Sequence, residues 1–283
     1  MTVLEALRLG KRLLSQVSEE ADLDAELLLR HALILDRTRL YNRLNEELST
    51  EQEQRFRDLV TRRITHEPTS YILGHKEFFG LDFEVTPAAL IPRPETETLV
   101  EHAIAFARTR PPGPVTIADI GTGCGAIAVS LARALPHAQI VAVDISPEAV
   151  TLAKRNAGRH AVSNRIQFRE GDLLQPIDNP VDVIVANLPY VPTNAWAALP
   201  PEIRDHEPRV ALDGGRTGLD AIRRLLRQAP AHLAPNGSLF LEIGADQGAK
   251  TSAMAREAFP GTPIDIRRDL AGRDRALVVR LSD

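Results

Sequence analysis

Three glycines alternate with other residues in the stretch Asp119-Ile120-Gly121-Thr122-Gly123-Cys124-Gly125. An apolar run, Val115–Ile120, leads into it, and the alanine-rich run 126–135 follows, which predicts a turn from a strand into a helix. Glycines let the backbone turn sharply and approach a ligand closely, because they have no Cβ atom. The stretch, called the glycine loop below, therefore predicts either a tight turn or a small-molecule site built on one.

The spacing of these glycines and a later acid distinguish between cofactors. Dinucleotide sites use G-x-G-x-x-G and P-loops need a lysine, whereas this loop reads G-x-G-x-G without a lysine. Asp144 ends the next predicted strand, about 20 residues on, where an acid accepts hydrogen bonds from ribose hydroxyls in doubly wound folds. S-adenosylmethionine (AdoMet) has a ribose but no phosphate. We therefore expect AdoMet to contact Gly121, Thr122, Gly123, Cys124, Gly125 and Asp144.

From residue 95 onward, strand and helix patterns alternate. The predicted strands are 115–120, 140–144, 166–169, 181–186, 238–243, 264–266 and 276–281, and the predicted helices are 126–135, 147–157, 219–233 and 247–259. This alternation predicts an α/β fold with a largely parallel sheet and helices on both faces. Residues 95–283 are thus expected to form the domain that carries the glycine loop.

Residues 1–70 have a different pattern. Apolar residues recur at helical spacing over 3–17 and 22–35, and Thr50-Glu51-Gln52-Glu53 is a capping-box pattern that predicts a third helix. Residues 71–94 contain two short strand patterns that turn at Gly80, followed by three prolines. We expect a small helical domain over 1–70 and a hairpin linker over 71–94.

Composition limits the classes of function. The chain has 283 residues and one cysteine, so neither a disulfide framework nor a cluster of thiolates is available, and a reducing cytoplasm is the simplest compartment. Residues 1–85 hold 12 Lys and Arg against 16 Asp and Glu, and no basic excess for nucleic acid is present elsewhere. No apolar run predicts a membrane span, and no histidine pair has helical ligand spacing. We expect no direct contact with nucleic acid, membrane or metal.

The acceptor segment, Asn187-Leu188-Pro189-Tyr190, follows a predicted strand directly. Asn187 offers an amide oxygen to an N–H group, and Pro189 holds Leu188 extended, which can aim its carbonyl at a second N–H. Tyr190 offers a flat face on which a planar group can stack. These residue types predict a clamp for a planar nitrogen group, with an amide and a nucleobase both open, or else an ordinary turn after a strand.

Asp172 and Leu173 follow the third predicted strand of the glycine-loop domain. At the carboxyl end of that strand, Asp172 can accept a hydrogen bond from an adenine amino group, and Leu173 can cover the ring. An ordinary acid in a loop after a strand would look the same.

With these features assembled, the chain resembles the bacterial protein-(glutamine-N5) methyltransferases of the PrmC/HemK group, which modify peptide-chain release factors. The resemblance covers nearly the whole chain. Its most specific motifs are Arg93-Pro94-Glu95-Thr96-Glu97 and, over residues 207–219, Glu207-Pro208 with Ala211-Leu212-x-Gly214-Gly215-x-x-Gly218-Leu219.

The resemblance implies a class I (Rossmann-like, seven-stranded) AdoMet methyltransferase domain after a small N-terminal helical domain that binds substrate. The implied substrate is the glutamine of the Gly-Gly-Gln motif in class I release factors, so the implied role is in translation termination. The residues implied to bind that glutamine are Asn187, Leu188, Pro189 and Tyr190, with Arg93 and Glu95 shaping the pocket. The residues implied to complete the AdoMet site are Asp172, Leu173 and the side chain of Asn187.

One position departs from the family pattern, which usually reads Asn-Pro-Pro-Tyr, because Leu188 replaces the first proline. Asn-Leu-Pro-Tyr is also typical of rRNA adenine dimethyltransferases, but those enzymes carry their extra domain after the catalytic one. The alternatives are therefore a ribosomal-protein glutamine methyltransferase, an adenine-N6 methyltransferase acting on rRNA, and a non-enzymatic AdoMet-binding regulator.

Overall fold

The computed structural model describes residues 1–111, 113–269 and 271–281. These residues divide into two compact units. The first unit comprises Met1–His75 together with Pro200–His206, and the second comprises Lys76–Leu199 together with the described residues from Glu207 onward. The sequence gives no sign that Pro200–His206 belongs with the first unit.

The described residues form eleven α-helices, numbered in chain order. They are α1 Val3–Leu14, α2 Ala21–Leu33, α3 Arg37–Tyr41, α4 Thr50–Ile64, α5 Thr69–Leu73, α6 Glu95–Ala107, α7 Ala126–Ala134, α8 Pro147–Arg159, α9 Pro201–Arg204, α10 Asp220–His232 and α11 Gly248–Ala258. Within the described part of the chain, no helix is long and apolar enough to cross a membrane.

The first unit is helical, as predicted, and packs around leucines and one phenylalanine. Phe56 of α4 lies against α1 and α2, where a Cβ atom on Gly10 would come within 2.8 Å of its ring. Helix α4 begins one residue earlier than predicted, because Ser49 is the extended N-cap and forms the capping box with Gln52. The predicted box at Thr50 is therefore wrong, since Thr50 is already helical.

A buried cation holds Pro200–His206 in this unit. Arg63 of α4 is 4% exposed and pairs with Asp24 of α2 at 2.9 Å and with Glu202 of α9 at 2.7 Å. The hydroxyl of Thr69 donates to the other oxygen of Asp24 at 2.5 Å. Because a buried charge is costly unless it is paired, this network fixes α9 against α2 and α4.

The second unit contains a two-stranded hairpin and a seven-stranded sheet among its described residues. The strands are β1 His75–Phe78, β2 Leu81–Glu84, β3 Val115–Ile120, β4 Ala138–Asp144, β5 Ile166–Glu170, β6 Val181–Ala186, β7 Leu233–Glu242, β8 Ile264–Arg268 and β9 Asp274–Arg280. The sheet order is β5-β4-β3-β6-β7-β9-β8, parallel except for β9, which is antiparallel to both of its neighbours. The predicted α/β fold is confirmed, and the hairpin turns at Phe79 and Gly80.

Successive residues of the central strands face opposite sides of the sheet, as strand geometry requires. Ile117 and Val183 pack with α6, α7 and α8, whereas Ala118 and Ile184 pack with α10 and α11. Helices therefore cover both faces, as predicted. Helix α6 was not predicted, because Pro94 was interpreted as excluding regular structure. Pro94 is instead the N-cap of this helix.

Candidate active site

A cavity of about 420 Å³ lies within the second unit, at the carboxyl ends of β3 to β6. This is the edge at which ligands bind in open α/β sheets. Its lining includes the predicted site residues Arg93, Gly121, Thr122, Gly123, Cys124, Asp144, Asp172, Leu173, Asn187, Leu188 and Pro189. Three other predicted site residues, Glu95, Gly125 and Tyr190, are not part of the lining.

The glycine loop adopts a conformation that side chains disfavour. Gly121, Gly123 and Gly125 have φ values of 76°, 56° and 84°. A Cβ atom on Gly121 would lie 2.9 Å from the carbonyl oxygen of Asn187 and 3.2 Å from Cδ2 of Leu188. Glycine therefore allows the loop and the acceptor segment to touch, which brings the expected cofactor site beside the expected clamp.

Asp144 is fixed against this loop by backbone donors. Its carboxylate accepts hydrogen bonds from the N–H groups of Gly123 at 2.8 Å and Ser146 at 3.0 Å. Burial raises the pKa of Asp144, and these N–H donors oppose the rise. Each carboxylate oxygen keeps further lone pairs, so the side chain fits the acceptor that a ribose needs.

Asp119, the acid that opens the glycine loop, is fully buried. One of its oxygens accepts hydrogen bonds from the hydroxyl of Thr122 at 2.6 Å and the N–H of Ala128 at 3.1 Å. Its other oxygen, Oδ1, is buried without a partner among the described residues. Burial raises the pKa of Asp119 to about 7. Asp119 thus connects the glycine loop to the first turn of α7.

Cys124 is a buried residue without nucleophilic character. It is 3% exposed, and burial raises the pKa of its thiol to about 12, so the thiolate does not form near neutral pH. The buried side chain of Asn156 donates to the carbonyl of Cys124 at 2.8 Å and to that of Glu84 at 2.9 Å. The cysteine therefore belongs to the support of the loop.

Asp172 and Leu173 border the cavity next to an arginine. The carboxylate of Asp172 forms an ion pair with Arg224 of α10, which also lines the cavity. Leu173 has a φ of 54° and is 7% exposed. A role for Asp172 and Leu173 in binding adenine stays a prediction.

The acceptor segment is attached to two residues that were not predicted as a unit. The Nδ2 of Asn187 lies 3.1 Å from the hydroxyl oxygen of Thr96, which in turn lies 2.6 Å from Oε2 of Glu242. The hydroxyl of Tyr190 lies 3.4 Å from Oε1 of the same carboxylate. Glu242 is 1% exposed, so one buried acid connects α6, the acceptor segment and the end of β7.

Tyr190 is oriented by these contacts. Its ring packs with the apolar residues on the α10 and α11 side of the sheet, and burial raises the pKa of its hydroxyl to about 12. Stacking of a substrate on this ring stays a prediction.

The glycines of the 207–219 motif brace the acceptor segment. A Cβ atom on Gly214 would lie 2.6 Å from the carbonyl oxygen of Pro189, and one on Gly218 would lie 2.2 Å from that of Tyr190. Gln247 donates to the carbonyl of Tyr190 at 3.0 Å and to that of Gly218 at 3.2 Å. The motif thus has a physical reason, because only glycine permits this close backbone packing.

The two most specific motifs also meet. Glu207 is buried and accepts hydrogen bonds from the backbone N–H of Ile91 at 3.1 Å and from the guanidinium of Arg93, with which it forms an ion pair. Arg93 therefore lines the cavity in a position fixed by Glu207. Glu95, which was expected to shape the same pocket, is exposed and does not line it.

Comparison with known proteins gives consistent results for both units. Residues 5–74 match the family model described as the PrmC N-terminal domain, and residues 103–198 match the methyltransferase small domain. A release factor glutamine methyltransferase from Moorella thermoacetica is 46% identical over 280 residues, covering 98% of each chain. Another from Geobacter sulfurreducens is 48% identical over 237 residues, covering 83% of this chain and 81% of its own.

The chain belongs to the release factor glutamine methyltransferase family. It is therefore an AdoMet-dependent methyltransferase. The structure of a ribosomal protein L11 methylase from Lactobacillus delbrueckii subsp. bulgaricus matches with a TM-score of 0.52 and 24% identity, covering 70% of this chain and 83% of its own. That likeness concerns the fold, and it confirms the predicted methyltransferase architecture.

The usual proline of this family is replaced by Leu188 without opening a gap. The side chain of Leu188 is 4% exposed and packs into the core on the α10 and α11 side of the sheet. Its Cδ2 atom would lie 3.2 Å from a Cβ atom on Gly121, so the side chain also packs beside the glycine loop. Leu188 thus adds apolar packing between the acceptor segment and the glycine loop, and the use of its carbonyl in the clamp stays a prediction.

Sequence reasoning missed Thr96 and Glu242 as site residues. A signal for Glu242 was available, because it is an acid at the carboxyl end of the apolar run Leu239-Phe240-Leu241, on the edge of the sheet that binds ligands. Thr96 lies within a motif that was recognised, but nothing local distinguishes it from its neighbours.

Proposed function

We propose that this chain transfers a methyl group from AdoMet to the side-chain amide nitrogen (N5) of the glutamine in the Gly-Gly-Gln motif of class I peptide-chain release factors, and so modulates translation termination. One observation carries the proposal. Asn187, Leu188 and Pro189 line the same cavity as the glycine loop and Asp144. Groups suited to a planar amide therefore lie beside groups suited to AdoMet, in a chain whose relatives are named for this reaction.

AdoMet, when bound, supplies a methyl carbon on a sulfonium: the N–C bond forms as the S–C bond breaks, S-adenosylhomocysteine leaves, and one amide proton passes to water. The residues of this chain hold the nitrogen for that displacement. An amide nitrogen is a poor nucleophile because its lone pair is delocalised. Acceptance of its two hydrogens by Asn187 and the carbonyl of Leu188 draws density toward nitrogen and fixes its direction. Such positioning can lower the barrier by about 7–11 kcal/mol.

The chemical groups of the glycine loop and its neighbours are suited to binding AdoMet. The glycine loop approaches without side chains, Asp144 offers carboxylate oxygens to a ribose, and no lysine of a phosphate cradle is present in the loop. Asp172 and Leu173 are suited to the adenine. We assign these residues to the cofactor and the acceptor segment to glutamine.

Two other substrates remain as outcomes of the test. A ribosomal protein presents the same amide chemistry, whereas an rRNA adenine presents an exocyclic amine. The adenine is disfavoured, because residues 1–85 hold more acids than bases and the rest of the chain has no basic excess to bind phosphates.

The test is incubation of the full chain with radiolabelled AdoMet and, separately, a class I release factor, ribosomal proteins and rRNA. We expect label on the release factor, and mass mapping should place 14 added mass units, one methylene, on the glutamine of its Gly-Gly-Gln motif. A release factor whose glutamine is replaced by alanine is the matched control and should stay unlabelled. Label confined to ribosomal protein or rRNA would contradict the proposal.

A further inference from the structure

The single hydroxyl proton of Thr96 determines which way the amide of Asn187 faces. Thr96 lies between two groups, at 2.6 Å from Oε2 of Glu242 and 3.1 Å from Nδ2 of Asn187. When Glu242 is ionised, its carboxylate can only accept, so Thr96 must donate its proton to Glu242. Its oxygen is then an acceptor, and Asn187 must direct its NH₂ group toward it.

The consequence concerns the opposite end of the same amide. With Nδ2 of Asn187 bound to Thr96, Oδ1 is directed away from Thr96, and the residue lines the cavity. In the reverse orientation, Asn187 would present N–H donors to the N–H group of a glutamine. Donor would then face donor, and the clamp could not form.

We propose that Thr96 and Glu242 are positioning residues that fix the polarity of the Asn187 amide, so that its oxygen faces the N–H of the substrate glutamine. The inference rests on the proposed function for the identity of that substrate. Glu242 acts through Thr96 and does not itself line the cavity.

The hydrogen bonds from Asn187 through Thr96 to Glu242 are called the relay below. The surroundings of Glu242 determine the direction of these hydrogen bonds. The hydroxyl of Tyr190 donates to Oε1 of Glu242 at 3.4 Å. Both ends of the acceptor segment are therefore connected to the same carboxylate, Tyr190 directly and Asn187 through Thr96. Burial raises the pKa of Glu242, Glu95 raises it further, and Arg275 and the two hydroxyl donors lower it. A protonated Glu242 can donate to Thr96, which would then donate to Asn187 and turn its amide round. The relay therefore works only when Glu242 is ionised.

The experiment compares Thr96→Val, which keeps the shape and removes the hydroxyl, with Thr96→Ser, which keeps the hydroxyl. At saturating AdoMet and release factor, we expect kcat to fall by about 10- to 100-fold in Thr96→Val and to stay within about threefold of wild type in Thr96→Ser. AdoMet affinity, measured by calorimetry, should change by less than about twofold in either. Equal kcat in Thr96→Val and wild type, or an equal loss in both variants, would overturn the proposal.

A pH profile adds a readout that a purely structural role would not move. Wild-type kcat should fall on the acid side as Glu242 takes up a proton, with an apparent pKa above that of an ordinary glutamate. Glu242→Gln cannot titrate, so this acid limb should be absent from its profile even if its plateau is lower. An unchanged acid limb in Glu242→Gln would exclude Glu242 as the group that sets the polarity.

A substrate-free measurement separates this inference from the proposed function. Side-chain amide protons of ¹⁵N-labelled Asn187 should exchange slowly in wild type and Thr96→Ser, and at least about tenfold faster in Thr96→Val, because the acceptor is lost. Equal exchange in all three proteins would contradict the relay. If wild type leaves release factors unlabelled, the proposed function fails, while this exchange measurement still decides the relay.

Discussion

The buried carboxyl group of Asp119 makes the stability of the folded chain depend on pH. Its pKa is about 7 in the folded chain, against 3.8 for the unperturbed group, because burial penalises the charge. Between these values the folded state holds a proton that the unfolded state has lost. Stability contributed by this group is therefore present at low pH and is lost as the pH rises through about 7.

We therefore expect Asp119→Asn to flatten the pH dependence of stability. Asparagine keeps an oxygen that can accept from Thr122 and Ala128, but it cannot ionise. Between about pH 5 and pH 8, wild type should lose a few kcal/mol of unfolding free energy relative to the variant. Urea unfolding at both pH values measures this, and parallel profiles of the two proteins would show that Asp119 does not titrate in this range.

A second prediction at the residue scale concerns Asp144, which we propose as the acceptor for the ribose of AdoMet. We expect Asp144→Ala to weaken AdoMet binding by about 10- to 100-fold, because a carboxylate acceptor for two hydroxyls is worth about 1.5–3 kcal/mol. Asp144→Asn is the matched control, since it keeps an acceptor for the N–H of Gly123 and should lose less. Calorimetry measures both, and an affinity unchanged in Asp144→Ala would remove Asp144 from the site.

At the scale of elements, the 207–219 motif packs so closely on the acceptor segment that one added methyl group would meet its backbone. Gly218 has a φ of 71°, and its Cβ atom would lie 2.2 Å from the carbonyl oxygen of Tyr190. Gly261 has a φ of 77° with nothing within 4 Å. The two glycines thus share the conformational cost of a substitution and differ only in the contact.

We expect Gly218→Ala to lower kcat strongly and Gly261→Ala to leave it near wild type. Both should lose about 1 kcal/mol of stability through the left-handed conformation. Only the first also displaces the backbone of Tyr190 and the amide of Gln247 that braces it. Steady-state kinetics with thermal unfolding separates the two effects, and equal kinetics in both variants would show that the motif does not hold the clamp.

Elements that bury a continuous apolar run could be predicted from the sequence alone. The strands Val115–Ile120 and Val181–Ala186 were predicted to the residue, because glycine and asparagine end them. Contacts that join distant residues could not be predicted. Thr96 and Glu242 are 146 positions apart, and Glu207 and Arg93 are 114 apart, so their pairing depends on strand order. The glycine loop and acceptor segment were found because each is local and both follow parallel strands.

At the scale of the whole molecule, the first unit carries an unusual surface residue. Ile34 ends α2 with a φ of 55° and is 81% exposed. A β-branched residue in the left-handed region is strained, and an exposed isoleucine gains no packing in return. Exposed apolar residues are ordinary when they occur singly, but a strained one suggests that a partner uses the side chain. The expected role of this unit, to bind the release factor, supplies that partner.

We accordingly expect Ile34→Asn to stabilise the chain and to weaken its recognition of the release factor. Asparagine tolerates the left-handed conformation, so the free energy of unfolding should rise by about 0.5–1 kcal/mol. KM for an intact release factor should rise several-fold, whereas KM for a short Gly-Gly-Gln peptide should not change, because the peptide has nothing to place on α2. Thermal unfolding and parallel kinetics with the two substrates provide the measurement. A rise in KM for both substrates would place the effect in the catalytic unit, and no rise for either would separate Ile34 from partner binding.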